Sequence, residues 1–476
     1  MAVENDAMLI RRELLTRISR LLMQGQLRRK VDRIPLELRP KGAPTSRCCV
    51  YKDRAMIKYK IMALLGFSIQ DEQDELIPLS EYAEHAFERD RISPRPLTVV
   101  DEVCSACVKV SYVVTNMCRG CLARPCTINC PKNAVEFRDG QAHIDHQKCV
   151  NCGMCKKNCP FHAIVYVPIP CEESCPVGAI SKDEDGHERI DFDKCIYCGR
   201  CVSSCPFGAV MEKSQLIDIF KALQEKTEQK KVVAMVAPAI AGQFRAPLGN
   251  ILGAIRQLGF DDVIEVAKGA DTTTRNEAAE FLHKMEEGQK FMTTSCCPSY
   301  TALVNKHIPE LRPYVSDTRT PMGYTAELAR KMYPEAVLVF IGPCLAKRHE
   351  TYMDANADLM LSFEELDAMF VAAGIDIVNM TGVKLDDEID STSRGYPVSS
   401  GVMTAVRSRL PEGTDLRPLV INGIDKQAIR EMKGFPKACA ANMIEVMACE
   451  GGCVGGCNTI ANSKVAARQI GVIAKK

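Results

Sequence analysis

The segment Cys149-Val150-Asn151-Cys152-Gly153-Met154-Cys155-Lys156-Lys157-Asn158-Cys159-Pro160 sets three cysteines on one tight loop and a fourth directly ahead of a proline. Three thiolates so spaced can each hold a corner iron of a cubane, while the fourth points away toward a second cluster. The run before it, Cys118-x2-Cys121-x4-Cys126-x3-Cys130-Pro131, is a variant with two extra residues in one gap. Crossing the fourth ligand gives Cys118, Cys121, Cys126 and Cys159 to one [4Fe–4S] cluster. It gives Cys130, Cys149, Cys152 and Cys155 to the other. Cys-x2-Cys pairs also suit tetrahedral zinc. Two successive four-cysteine runs, each ending in Cys-Pro, favour iron–sulfur ligation.

A third run, Cys195-x2-Cys198-x2-Cys201-x3-Cys205-Pro206, has only a degenerate partner, Cys171-x3-Cys175-Pro176. By the same rule Cys175 completes the cluster of Cys195, Cys198 and Cys201, and Cys171 and Cys205 are left needing two ligands. Cys104-x2-Cys107 is the pair available to supply them, which implies a fourth cluster. The alternative is a buried, unligated pair. These runs resemble ferredoxin modules, whose folding is held by clusters more than by a core. No plant-type C-x4-C-x2-C spacing is present, so a [2Fe–2S] domain is not expected. Clusters in series form an electron relay between a surface partner and a buried centre.

The bulk composition agrees. A chain of 476 residues with 46% hydrophobic and 25% charged content is long enough for two or three domains. With 61 Lys and Arg against 60 Asp and Glu, no global field favours nucleic acid or an anionic membrane. Arg28-Arg29-Lys30 reads as a solvated helix face. No apolar run is long enough to span a bilayer. Arg11-Arg12 leads into Glu13 and a helical pattern rather than the apolar core of an export signal, so a cytoplasmic location is expected. Twenty-five cysteines without a secretory signal argue for metal or redox work rather than disulfides.

Residues 1–100 carry no chemical motif. Ile10, Leu14, Ile18, Leu21 and Leu22 recur at helical spacing, and a second helical pattern covers about 53–66, so this region reads as a packed helical unit. The adjacent Cys48 and Cys49 cannot easily ligate one metal. Residues 101–212 form the cluster-binding domain, expected as ferredoxin-like α+β. A charged helix within 213–230 leads to a third domain, 225–476. There, strands such as 231–236 and 336–341 alternate with helical segments, which predicts α/β architecture with parallel sheets.

Three separated loops of this last domain carry thiols: Thr294-Ser295-Cys296-Cys297-Pro298, Gly342-Pro343-Cys344-Leu345-Ala346-Lys347-Arg348-His349-Glu350, and Met447-Ala448-Cys449-Glu450-Gly451-Gly452-Cys453-Val454-Gly455-Gly456. Strand ends of α/β sheets are where ligand sites collect. Pro298 suits a helix first turn, so Cys296 and Cys297 are expected at a helix N-terminus, where the dipole favours thiolate. The glycines after Cys449 are expected to let backbone approach a bulky cofactor.

In order and spacing these loops resemble the TSCCP, PCxxKxxE and MACxGGC motifs of [FeFe]-hydrogenases over roughly residues 231–460, and the cluster runs resemble that family's accessory domain. The resemblance implies a two-lobed catalytic domain and reversible reduction of protons to H2 at an H-cluster. That cofactor joins a [4Fe–4S] cubane to a two-iron unit bearing CO, cyanide and a dithiolate amine. It implies Cys297, Cys344, Cys449 and Cys453 as cubane ligands, with Cys453 bridging to the two-iron unit. It also implies Lys347 hydrogen-bonding a cyanide, Ala237 and Pro238 lining the pocket, and Met447 packing on the cluster. Cys296 becomes the proton donor and acceptor facing the amine. Glu277 and Glu280, one helical turn apart, match the relay carboxylates once one residue is deleted upstream, and Ser316 aligns with a relay serine. Taken alone, those three would be a surface acidic face and a loop hydroxyl. Ferredoxin, or a similar small carrier, and H-cluster maturation proteins are the implied partners.

The chain departs from the family's commonest form at Gly342 (Met there), Ala239 (Ser there), Ser299-Tyr300 (Gly-Trp there) and Cys457, which interrupts a glycine run. These departures resemble the group B branch. Two other functions compete: an H2 sensor using the same cofactor, and a non-catalytic iron–sulfur relative. Sensory branches tend to lose the proton-transfer cysteine, and non-catalytic relatives lack parts of the two-iron pocket. Cys296 and Lys347 argue for the enzyme. No flavin or nicotinamide motif supports an electron-bifurcating subunit.

Overall fold

The structure is a computed structural model that describes residues 5–90, 94–105, 107, 111–353 and 357–474. Its cluster-binding part consists of two units built on one plan, one nested inside the other. In the inner unit β2 (Tyr112–Val114) pairs antiparallel with β5 (Ile164–Tyr166), and between them runs the hairpin β3 (Val135–Arg138) and β4 (Gln141–Ile144). In the outer unit β1 (Leu97–Val99) pairs with β8 (Val210–Glu212), and the hairpin is β6 (Ile180–Lys182) and β7 (Glu188–Ile190). The closures match bond for bond. Thr115 N donates to Ala163 O and Val100 N to Ala209 O, both at 2.8 Å. The inner unit is therefore inserted between Cys107 and Cys171 of the outer one. The cluster-binding fold opens at Leu97, ahead of the boundary at 101 read from the sequence, because β8 needs β1 as its partner.

Every Cys-Pro turn repeats the same geometry. Ala134, Ala163, Ala179 and Ala209 each donate a backbone N–H to the thiol four residues earlier, Cys130, Cys159, Cys175 and Cys205, at 3.2, 3.4, 3.2 and 3.3 Å. The residue before each alanine is left-handed: Asn133, His162, Gly178 and Gly208. Proline fixes the first bend, and the positive φ turns the chain back toward the sulfur.

The third domain holds two parallel sheets. One has β9 (Val232–Val236), β10 (Asp262–Glu265), β12 (Val337–Gly342) and β13 (Leu359–Ser362) in the order β10-β9-β12-β13. The other has β11 (Met292–Thr293), β14 (Pro418–Asn422) and β15 (Met443–Met447) in the order β11-β15-β14. β9 and β12 are apolar runs buried on both faces, as parallel strands covered by helices must be, and β15 is buried throughout and apolar but for Glu445. This agrees with the two-lobed α/β reading. The bridging helix falls at Leu216–Glu225.

The helical N-terminal region packs on both other parts. The helix Asp6–Met23, capped by Asn5 accepting from Met8 N at 3.0 Å, buries Leu14, Leu15, Ile18 and Leu22. Arg11 reaches Glu364 of the helix Phe363–Ala373 at 2.5 Å. The helix Val50–Leu64 lies against the outer cluster unit, where Lys60 Nζ donates to Phe207 O at 3.2 Å. Among the described residues no helix is long and apolar enough to cross a membrane.

Arg348 holds the parts in register. Wholly buried, it donates through Nε to Glu212, the last residue of β8, and through Nη2 to Glu365 Oε2 at 2.8 Å. Asn458 Nδ2 donates to the other Glu212 oxygen at 2.6 Å, and Ser214 Oγ donates to Glu365. Burial works against the guanidinium charge, but the two carboxylates outweigh it and hold Arg348 protonated. Arg348→Met should therefore leave two buried carboxylates without a counterion and cost roughly 3–5 kcal/mol of stability. Denaturant unfolding of the anaerobic protein checks this, and a loss below about 0.5 kcal/mol would show that the network is not what joins the domains.

Candidate functional site

The three thiol loops leave the C-terminal ends of β11, β12 and β15, the edge at which open parallel sheets collect ligands. Cys297 is the N-cap of the helix Pro298–His307, with proline at its first position as expected. Cys344 precedes the helix Leu345–Met353, and Cys449 and Cys453 flank the turn after β15. The loops converge. Cys344 feels the charges of Cys297 and Cys453, and Cys449 feels those of Cys344, Cys297 and Cys453. Burial and this mutual repulsion push every one of these three thiols up, Cys453 to about 12. Such a group becomes thiolate when cationic iron neutralises it.

The N-terminal dipole does not win at Cys296. Partly buried and beside Glu277 and Cys297, its thiol is pushed well above the ordinary value by desolvation and these neighbours, which favours the protonated group over a thiolate. Cys296 precedes the N-cap and lies outside the first helical turn, where the dipole acts. Lys347 fits an anionic ligand. Its Nζ stands 2.7 Å from Glu350 Oε2, yet the angle makes no hydrogen bond, and the buried ammonium has donors to spare. Glu350 outweighs burial and keeps it charged. These residues fit an iron–sulfur cofactor with anionic ligands, and the fit rests on the buried Nζ, ion-paired with Glu350 but with donors to spare, and the four gathered thiols.

Glu277 and Glu280 lie on the helix Ala267–Glu286 and differ sharply. Glu277 is fully buried, and burial raises it to about 8 although Ser295 N donates to its Oε1 at 3.2 Å. Its Oε2 has no partner. Glu280 is only half-buried. Lys284 at 2.6 Å, Ser316 Oγ at 2.6 Å and Thr318 Oγ1 at 2.8 Å outweigh burial and hold its carboxyl below the ordinary range. The inner acid is thus neutral and the outer one ionised, while the neighbouring Asp317 lies in solvent. Met447 packs in the cluster of buried side chains that Cys296 joins. Ala237 and Pro238 follow β9 at the same sheet edge, but the cavity they line is bounded by Leu248, Leu252 and the Glu265–Arg394 pair and by none of the cysteines.

The accessory thiols gather in groups. Cys130, Cys149, Cys152 and Cys155 line one cavity. Cys118, Cys126 and Cys159 pack together in the inner unit, and Cys121 lies on the same loop. Cys195, Cys198 and Cys201 all feel Cys175. Cys104, Cys107, Cys171 and Cys205 line another cavity. Among the described residues no three His, Cys, Asp or Glu come close enough to hold a single metal ion.

Residues 230–457 match the family model for the iron only hydrogenase large subunit, C-terminal domain. Residues 142–165 match a 4Fe-4S binding domain, and 165–216 the LdpA Fe-S cluster-binding domain. The periplasmic [Fe] hydrogenase large subunit of Nitratidesulfovibrio vulgaris is 30% identical over 374 residues, covering 66% of this chain and 85% of that protein. The chain belongs to the iron-only hydrogenase family. Iron hydrogenase 1 of Clostridium pasteurianum is 28% identical over 386 residues, 68% of this chain and 66% of its own length. The solved structure of HydA(deltaEFG), from work on stepwise [FeFe]-hydrogenase H-cluster assembly, matches 55% of this chain and 88% of its own at 24% identity and a TM-score of 0.46.

Several departures from the family's commonest sequence have local reasons. A Cβ on Gly342 would stand 2.5 Å from Phe340 Cε1, so Phe340 already occupies the space a larger residue would need. Tyr300 is buried and satisfies its hydroxyl on Thr293 Oγ1 at 2.8 Å. The Cys457 thiol packs directly on Gly199 of the outer cluster loop, at the seam between the two cofactor regions. Sequence reading missed Arg348, and also Glu445, a buried acid that accepts Ser400 N at 2.7 Å and Met403 N at 2.8 Å close to Cys296. Neither belongs to a recognised motif, and only the tertiary contacts mark them.

The glycines after Cys449 let neighbouring loops approach closely. A Cβ on Gly452 would stand 2.5 Å from Pro397 O, and one on Gly456 2.5 Å from Pro343 O. They serve loop-to-loop approach, which fixes where Cys449 and Cys453 point. Gly452→Ala, at φ +90°, should lower the iron bound by the C-terminal domain and cost more than about 1 kcal/mol. Gly451→Ala, also left-handed but with only Val454 at 3.9 Å nearby, should keep its iron. Equal iron content in the two variants would exclude this role for Gly452.

Proposed function

We propose that the chain catalyses the reversible reduction of protons to H2 at an H-cluster held by Cys297, Cys344, Cys449 and Cys453. One observation carries the reading: a protonated thiol, Cys296, and a buried ammonium with unused donors, Lys347, converge on four thiols from three strand ends. When bound, the two-iron unit supplies the bond chemistry with hydrogen. In this reading Lys347 anchors an anionic ligand by charge-assisted hydrogen bonding. Cys296 gives and takes the proton. Glu277, neutral and next to it, holds the following one, and Glu280 with Ser316 passes it toward the surface at Asp317. The pairing of Cys296 with Lys347 favours turnover over a sensor or a non-catalytic relative.

Electrons enter, in this reading, through the inner cluster unit. Leu122, Ile128 and Val150 are 96%, 77% and 56% exposed beside the ligands of two clusters. Between residues 112 and 166, Arg119, Arg124, Lys132, Arg138, Lys148, Lys156 and Lys157 face three acids, Glu136, Asp139 and Asp145. Exposed apolar side chains on a unit with an excess of positive charge suit a small acidic iron–sulfur carrier such as ferredoxin. Lys156→Glu with Lys157→Glu should raise the KM for such a carrier several-fold and leave turnover with a small viologen dye unchanged. A KM that does not move would place the entry point elsewhere.

The catalytic reading is tested on the matured protein by separating proton delivery from cofactor binding. Cys296→Ala should leave the CO and cyanide infrared bands in place while turnover falls at least about a hundredfold, as for loss of a positioned acid–base group. Cys297→Ala should lose the cluster with its ligand. Glu277→Gln, which keeps the shape of a neutral acid but cannot pass its proton, should resemble Cys296→Ala. Near-normal H2 evolution by the Cys296→Ala protein with unchanged bands would rule the relay out.

A further inference from the structure

The family models reach no further upstream than residue 142, so Cys104 and Cys107 lie outside them. Nesting assigns these residues a place. Cys104-x2-Cys107 repeats the spacing of Cys118-x2-Cys121, and Pro170-Cys171 opens the helix Pro170–Ser174 as Pro125-Cys126 opens Pro125–Ile128. Cys205 sits in the same Cys-Pro turn as Cys159, its thiol accepting Ala209 N at 3.3 Å. The outer quartet is thus the counterpart of the inner one, with its first pair separated from its third member by the inserted unit.

We propose that Cys104, Cys107, Cys171 and Cys205 hold a further [4Fe–4S] cluster, and that Glu188, paired with Lys182, distinguishes its charge surroundings from those of its inner counterpart. The four thiols line one cavity, as Cys130, Cys149, Cys152 and Cys155 line another. Glu188 lines the same cavity and is 1% exposed. Its backbone N–H is directed at Cys104, and neither carboxylate oxygen meets a hydrogen bond. Lys182 Nζ stands 3.0 Å from Oε1 and is the less buried partner, 12% exposed against 2%.

The inner unit supplies the control. In the hairpin registers Lys182 faces Glu188 where Phe137 faces Ala142. The charged pair therefore occupies a position that is apolar beside the inner cluster. A cubane with four thiolates becomes more negative on reduction, and a buried carboxylate beside it opposes the added electron. Lys182 does not line the cavity; at Cys104 its charge opposes that of Glu188, whereas at Cys171 burial and the carboxylate raise the thiol.

The site extends the relay proposed above and is tested without hydrogen chemistry, on the full chain reconstituted anaerobically with iron and sulfide but not given its two-iron unit. Cys104→Ser with Cys107→Ser should remove about four of about twenty irons. Unchanged iron overturns the site. Glu188→Gln should keep the iron and shift one cluster's midpoint potential positive, with the other clusters unmoved. Lys182→Met, tested in parallel, should shift the same cluster negative. An unmoved potential in the iron-replete Glu188→Gln protein overturns the assigned role, as does a Lys182→Met shift in the positive direction. A chain that fails to turn over H2 after maturation but meets these iron counts and shifts leaves this site standing and removes only the catalytic reading.

Discussion

A buried guanidinium between two carboxylates is the contact on which the arrangement of this molecule rests. Arg348 takes one acid from the last strand of the cluster-binding fold and the other from a helix of the α/β domain. Removing three charges from water is costly, and their attraction offsets that cost only when geometry and hydrogen bonding are complete. Here Ser214, Asn458 and the backbone of Ser362 complete them. Arg348 follows Lys347 in the Cys344 loop. The contact that joins the domains therefore also fixes the loop that carries a proposed ligand and a proposed cofactor anchor.

The second constraint is charge of the opposite sense. Cys296, Cys297, Cys344, Cys449 and Cys453 share one buried region with Glu277 and Glu445. These groups cannot all ionise together without a cation. The protein resolves the conflict by leaving Glu277 and Cys296 protonated and by placing Lys347 beside the thiols. Proton-holding groups beside the gathered thiols are what the proposed relay uses.

Nesting of the cluster units shapes the route for electrons. The outer unit meets the α/β domain directly: Lys306 Nζ donates to Cys195 O at 2.8 Å, Tyr197 stacks on His349 at 3.8 Å, and Cys457 packs on Gly199. The inner unit is carried away from this seam on the strands β2 and β5, with its apolar side chains exposed. A buried end and an exposed end follow from inserting one fold into another.

How much of this was legible beforehand depends on the range of the interactions involved. Ligand spacing is a local property. The Cys-x2-Cys and Cys-Pro signals marked iron–sulfur binding, because a few consecutive residues determine the loop that wraps a cubane. The buried strands near 232–236 and 337–342 were equally readable, since a strand covered on both faces must be apolar throughout. Cys296, Lys347, Glu277 and Glu280 were found through motif resemblance, and periodicity alone would have left them on a helix face. Arg348, Glu445 and Glu188 carry no local mark. Each is a charged residue whose burial is tolerated only because partners distant in sequence meet it. The protonation of Cys296 belongs to the same class, since the helix dipole is a local effect and the burial and acidic neighbours that outweigh it are not. The sequence alone determined which residues can hold metal. Tertiary structure decided which of them meet and which charges survive burial, because desolvation depends on every neighbour at once.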